Sequence, residues 1–181
     1  IWATSGEGLN RVSQKTDGSY HVTQFRALEE DTTSLSSRWV QSIFIDSKGR
    51  IWSGTDGGLN LFISDEEGFV IFNKSDGLPS DIVKGIIEDQ LGNFWITTTK
   101  GISKMTEKED GTFHFRNYDK SDGLQGDEYL MNSCYINKKG EVFLGGGNGF
   151  NYFDPSKLID NPFKPNILLT SFKLFNKEVQ I

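Results

Sequence analysis

Apolar residues in this chain come in short runs broken by glycine- and aspartate-rich turns, and no run is long enough for a helix of several turns. The stretch from Trp39 to Asn73 shows the pattern most clearly. Val40-Gln41-Ser42-Ile43-Phe44-Ile45 is β-branched and aromatic, and nearly continuous in apolar character toward its end, as a strand covered on both faces would be. Asp46-Ser47-Lys48-Gly49 then signals a turn. Arg50 to Thr55 reads as a second strand, Asp56-Gly57-Gly58 as a turn, and Leu59 to Phe62 as a third strand. Asp65-Glu66-Glu67-Gly68 turns the chain again before Phe69 to Phe72. The next unit follows the same order: Ile82 to Ile87, Phe94 to Thr98, Gly101 to Met105 and Phe113 to Tyr118.

The pattern is a repeat. Ile51-Trp52-Ser53-Gly54-Thr55-Asp56-Gly57-Gly58-Leu59-Asn60 returns in degraded form from Ile1, from Phe94 and from Val142. An aromatic column runs through Trp2, Trp52, Trp95 and Phe143, and a glycine column through Gly8, Gly58, Gly101 and Gly149, both with offsets of 50, 43 and 48. Links between units recur too, as Lys74-Ser75-Asp76-Gly77-Leu78-Pro79 and Lys120-Ser121-Asp122-Gly123-Leu124-Gln125. Four short antiparallel strands in roughly 40 residues make one propeller blade. The predicted fold is therefore all-β: a partial β-propeller of three to four four-stranded blades over residues 1–154. The units are 1–28 (partial), 38–76, 82–121 and 130–154 (partial). A blade cannot bury both faces alone, so Trp2, Trp52, Trp95 and Phe143 are expected as core between blades and the four column glycines as structural turn residues. The pattern stops after Asp154. Three of the four prolines, Pro155, Pro162 and Pro165, mark a linker over 155–166. Ile167 to Phe175 reads as a strand, Asn176 to Glu178 as a turn and Val179 to Ile181 as the start of another strand, so 167–181 is expected to open a second β domain.

Composition narrows the functional classes. Nineteen Lys and Arg against 25 Asp and Glu give a net charge of −6, with no basic stripe, which argues against contact with nucleic acid. No window of about 18 apolar residues exists, so no membrane-inserting helix is expected. The single Cys134 has no disulfide partner within the chain. Because the sequence opens inside a repeat, it is expected to be part of a longer protein.

Candidate chemistry is sparse. His21 and His114 lie in non-equivalent places of the repeat, and no His/Cys/carboxylate spacing suits a transition metal, so neither a metal site nor a cofactor is predicted. His114 is expected on the polar face of an outer strand. Cys134 is expected as a small core residue of an inner strand, with no histidine placed to activate it. Gly145-Gly146-Gly147-Asn148-Gly149 has the composition of a phosphate loop but lacks the Lys-Ser/Thr ending and a following helix, which leaves turn geometry as the account.

Topology points to a binding face instead. Strands alternate in direction, so the link into each innermost strand and the turn between second and third strands share one face. That face gathers Ser36, Ser37, Arg38, Trp39, Pro79, Ser80, Asp81, Gln125, Gly126, Asp127, Glu128 and Tyr129, with Glu7, Asp56, Lys100 and Asn148. Polar groups with two aromatics suit sugar hydroxyls and ring stacking. The ligand-binding candidates are Arg38, Trp39, Asp81, Asp127, Glu128 and Tyr129; Trp39 stands out as the tryptophan outside the repeat column.

Asp46 to Phe62 resembles the two-component regulator propeller repeat, roughly D-x-x-G-x-[IL]-W-[IV]-G-T-x-x-G-[IL]-x-x-[FY]; Asp89 to Met105 and Asn137 to Phe153 match less closely. Gly149 to Pro155 and Leu168 to Phe172 resemble the junction where such propellers pass into an Ig-like Y_Y_Y domain. The resemblance implies the periplasmic sensor of a hybrid two-component system of Bacteroidetes, with an oligosaccharide as ligand, no catalytic residues in this region and a histidine kinase in the parent protein. Self-association through open strand edges is expected. A protein-interaction scaffold and a propeller lyase or hydrolase are the alternative classes.

Overall fold

In the computed structural model, which describes residues 1–158, 172–174 and 177–179, the chain folds as consecutive antiparallel sheets. Sheet one holds β1 (Trp2–Ser5), β2 (Gly8–Gln14) and β3 (Tyr20–Phe25). Sheet two holds β4 (Val40–Ile45), β5 (Ile51–Thr55), β6 (Gly58–Ser64) and β7 (Gly68–Phe72). Sheet three holds β8 (Val83–Glu88), β9 (Phe94–Thr98), β10 (Gly101–Glu107) and β11 (Phe113–Tyr118). Sheet four holds β12 (Tyr129–Ile136), β13 (Val142–Gly146) and β14 (Gly149–Phe153). Each sheet keeps sequence order, the up-and-down topology of a propeller blade. A last pair, β15 (Phe172–Leu174) and β16 (Lys177–Val179), is antiparallel. Leu174 pairs with Lys177, so Lys177 and Glu178, expected in a turn, are in strand. Residues 159–166 of the expected linker, 167–171 and 175 of the expected strand, 176 of the expected turn, and 180–181 lie outside the described residues.

The sheets are joined by three apolar layers. Leu9, Leu35 and Phe69 with Trp2, Phe25 and Phe62 fill the first; Trp52, Leu59, Ile86, Phe94 and Met105 the second; Trp95, Ile102, Tyr129, Val142 and Leu144 the third. Each column tryptophan packs on the third strand of the next unit. Trp2 lies 5.0 Å from Phe62, Trp52 is buried with Met105, and Trp95 lies 4.6 Å from Phe153. Phe143 departs from the expected core role: it is only half-buried, gathered with Tyr135, Phe150 and Tyr152, because no following sheet covers it among the described residues.

The turn after each innermost strand is built one way. Asp46 accepts from the backbone N–H groups of Lys48 and Arg50, and Asp89 from those of Leu91 and Asn93. The second oxygen of each carboxylate accepts the indole N–H of its own column tryptophan, Trp52 at 2.9 Å and Trp95 at 2.8 Å. A buried indole N–H needs such an acceptor. Asn137 makes the same turn, accepting from Lys139 and Glu141, but faces Phe143, which has no N–H to satisfy. The column glycines Gly8, Gly58, Gly101 and Gly149 all have positive φ. At Gly58 a Cβ would also lie 2.5 Å from the Phe72 carbonyl oxygen, so both backbone conformation and space require glycine.

Candidate functional site: the face of links and second turns

The links are tied down by buried and half-buried polar side chains. Asn60 on β6 accepts from the Ser36 backbone at 2.9 Å, and Ser36 Oγ lies 2.7 Å from Thr55 Oγ1. Asn151 on β14 does the same for Gln125 at 3.2 Å, and Ser80 Oγ lies 2.9 Å from Thr99 Oγ1. Gly101 N–H donates to the Asp127 carbonyl at 2.6 Å, which fixes the fourth unit's link over the third unit's turn. The links therefore have defined backbones from which side chains project.

The six candidates differ in what they present. Arg38 and Trp39 are exposed, with the guanidinium 4.8 Å from the indole centroid, a cation–π pair on the surface. Arg38 also lies 3.8 Å from Glu7. Trp39 is half-exposed, at 50%, although tryptophan is the most valuable apolar side chain to bury. Asp81 is engaged inward, accepting from the Lys74 backbone at 2.8 Å, so its oxygen anchors the preceding link. Asp127 is half-buried and 3.7 Å from Lys120, and Glu128 is exposed. Tyr129 requires correction: it is fully buried in the third apolar layer, its hydroxyl donates to Asn151 Oδ1 at 2.6 Å, and burial pushes its pKa up to about 12. Its place at the start of β12, opposite Gly146, turns the ring into the core and away from the face.

The structure adds residues that the sequence reading passed over. Gln41 donates to Asp56 at 2.7 Å, tying the innermost strand of the second unit to its upper turn. Leu130 and Met131, at the start of β12, are 54% and 61% exposed. Spacing carried a signal for them: 13 residues separate Asp76 from Asp89, but 15 separate Asp122 from Asn137.

The face holds no histidine. His21 lies on β3 and His114 on β11, the outer strands of their sheets, and both are exposed. Cys134 packs against Thr97, 3.7 Å away, and burial pushes its thiol up to about 11, so it is a protonated packing residue at neutral pH. Among the described residues no group of three or more His, Cys, Asp or Glu is placed to hold a metal ion. A cavity of about 290 Å³ opens beside the third layer, lined by Trp95, Tyr118, Leu124, Asn151 and Phe153.

Sheet order, inter-sheet tryptophans and carboxylate-anchored turns define a propeller-repeat protein. Residues 34–57 and 77–100 match the model of the two component regulator propeller family. A curated relative, Histidine kinase P4 of Formosa agariphila, is 27% identical over 231 aligned residues, which cover 100% of this chain and 16% of the relative. The chain thus spans about a sixth of that relative's length. The extracellular domain of BT4673 from B. thetaiotaomicron, described as a hybrid two component system, superposes with a TM-score of 0.68 at 23% identity, over 86% of this chain and 22% of its own. A streptogramin B lyase superposes with a TM-score of 0.53 at 16% identity, over 86% of this chain and 51% of its own, a likeness of fold.

Proposed function

We propose that this chain is a non-catalytic ligand-sensing segment of a periplasmic receptor region belonging to a hybrid histidine kinase, and that its ligand is an oligosaccharide. The observation that carries the reading is the exposed Arg38–Trp39 pair, on the face where the links and second turns meet, in a chain two of whose stretches match the two-component regulator propeller family. An indole flanked by a guanidinium offers a flat surface for the C–H face of a sugar ring and donors for its hydroxyls. Glu128, Asp127 and Asn148 supply polar groups on the same face. Binding shifts the packing of propeller against the domain that follows, across a dimer, and the shift passes through the membrane to the kinase. It does so only to the extent that the ligand binds the two arrangements unequally.

The test uses the intact receptor in nanodiscs, titrated with cello-, xylo-, laminari- and chito-hexaose while autophosphorylation is followed. The expected result is saturable binding without turnover by one class, weakened about tenfold or more by Trp39→Ala, the loss typical of a central aromatic contact. Turnover of the oligosaccharide would replace the sensor with an enzyme, and no binding at all would leave the scaffold reading.

A further inference from the structure

All three innermost strands break register at the same place, just below the links. In β4 the break lies between Val40 and Ser42, and in β8 between Val83 and Gly85; each puts one extra residue, Gln41 or Lys84, into the strand. In β12 the break is larger. Tyr129 pairs with Gly146 and the next pair is Cys134 with Leu144, so Leu130, Met131, Asn132 and Ser133 stand opposite Gly145 alone. Asn132, at φ 51°, is the one non-glycine residue with positive φ among the described residues. A left-handed asparagine inside a strand marks a locally held conformation.

The enlarged bulge is held from below. Cys134 Sγ and Thr97 Oγ1 close over Gly85 of β8, where a Cβ would lie 2.5 Å from the sulfur, 3.0 Å from the hydroxyl and 3.8 Å from the Asn132 Cα. Glycine at 85 leaves the space in which the bulge sits. What the bulge presents is also distinct. The two ordinary bulges carry Gln41 and Lys84; this one carries Leu130 and Met131, both more than half exposed and outside every apolar layer. Bulges re-aim side chains and recur beside functional sites.

We propose that Leu130 and Met131 are a specificity element of the ligand face, and that they take an apolar substituent, a methyl or acetyl group, carried by the saccharide. The inference rests on the reading of this face as a saccharide site. Its location follows from register: the bulge adjoins the link that holds Asp127 and Glu128, opposite the upper turn that holds Asn148. Two apolar side chains are far short of the roughly 800 Å² per partner that a stable protein interface needs, but they match a small substituent. Met suits such a contact because its thioether chain adapts to shape.

Matched probes test the proposal: acetylated and chemically deacetylated xylo-oligosaccharide, chitohexaose and cellohexaose, and fucosylated and defucosylated xyloglucan oligosaccharide, titrated into the intact receptor. The wild type is expected to bind the substituted member of one pair about tenfold or more tightly. The Leu130→Ser/Met131→Ser variant is expected to bind both members within about twofold of each other, while keeping its affinity for the bare one. These positions are exposed, so the variant should fold; a second variant that deletes Met131 and Asn132, restoring a one-residue bulge, must lose the preference too. A preference that survives in the serine variant, or a wild type that binds both members equally, overturns the specificity element and leaves the saccharide face standing. Failure of the wild type to bind any probe overturns both.

Discussion

Trp52 and Phe143 occupy the same column of the repeat, one unit buried between two sheets and the other at the open side of the fourth. Trp52 is enclosed by Phe72, Phe94 and Phe113, donates its indole N–H to Asp46, and lies under Arg50. Arg50 in turn binds Asp46 at 2.6 Å and reaches Glu107 of the next sheet at 2.8 Å. Phe143 has Tyr135, Phe150 and Tyr152 around it, all from its own sheet and all exposed. Asn137 replaces the aspartate, and Glu141, where Arg50 stands in the second unit, binds Tyr152 and Asn137 within its own sheet. The repeat is thus two coupled choices: a ring with an N–H brings a carboxylate, and a ring without one does not need it.

The largest effect expected from this contrast is in packing. Trp52→Ala should cost about 3–5 kcal/mol, since a large buried ring leaves a cavity, whereas Phe143→Ala should cost roughly 1 kcal/mol because its surroundings are already open to water. Urea unfolding of the two variants checks this, and equal losses would mean that Phe143 is covered in solution. A smaller contrast separates two glycines of the second unit. Both Gly58 and Gly49 have positive φ, but a Cβ at Gly49 meets open space and one at Gly58 meets the Phe72 carbonyl. Gly49→Ala should cost about 1 kcal/mol for the left-handed backbone, and Gly58→Ala about 1–2 kcal/mol more, the scale of strain imposed where the structure cannot relax.

The smallest effect is electrostatic and pH-dependent. Burial works to raise the Asp46 pKa, but hydrogen bonds from Trp52 and Arg50 outweigh it and hold it below the ordinary aspartate value. Glu107 is held low chiefly by its hydrogen bond from Arg50. Both carboxylates therefore stabilise the folded state above their unfolded pKa values of about 4, and that stability is lost as pH falls through the lowered folded values. Asp46→Asn should cost about 1 kcal/mol at pH 7 and flatten the decline of stability below about pH 4, the unfolded carboxylate range. Thermal unfolding across that range measures it, and a variant as acid-sensitive as the wild type would place the titrating group elsewhere.

Much of this was legible from residue order. Alternation, turn chemistry and the fixed aromatic and glycine columns predicted strand order within each sheet, because local propensity and burial point the same way in a repeat. The candidate face was legible only in part. Sequence placed Arg38 and Trp39 on a link, and the structure leaves both exposed. It could not separate Tyr129 from Glu128, since a one-residue step in a strand sends neighbouring side chains to opposite faces. Asp81 likewise reads as a surface carboxylate until the fold brings the Lys74 backbone within hydrogen-bond reach.

The sequence by itself determined the architecture: four strands to a unit, tryptophans between sheets, glycines at the turns, and, by strand direction alone, which links and turns share the candidate face. Only the tertiary structure decided which residues that face presents. Burial depends on the neighbouring sheet, and register depends on how many residues one strand fits against another. Phe143 is only half-buried and Tyr129 fully buried for the first reason, and Leu130 and Met131 stand out from β12 for the second.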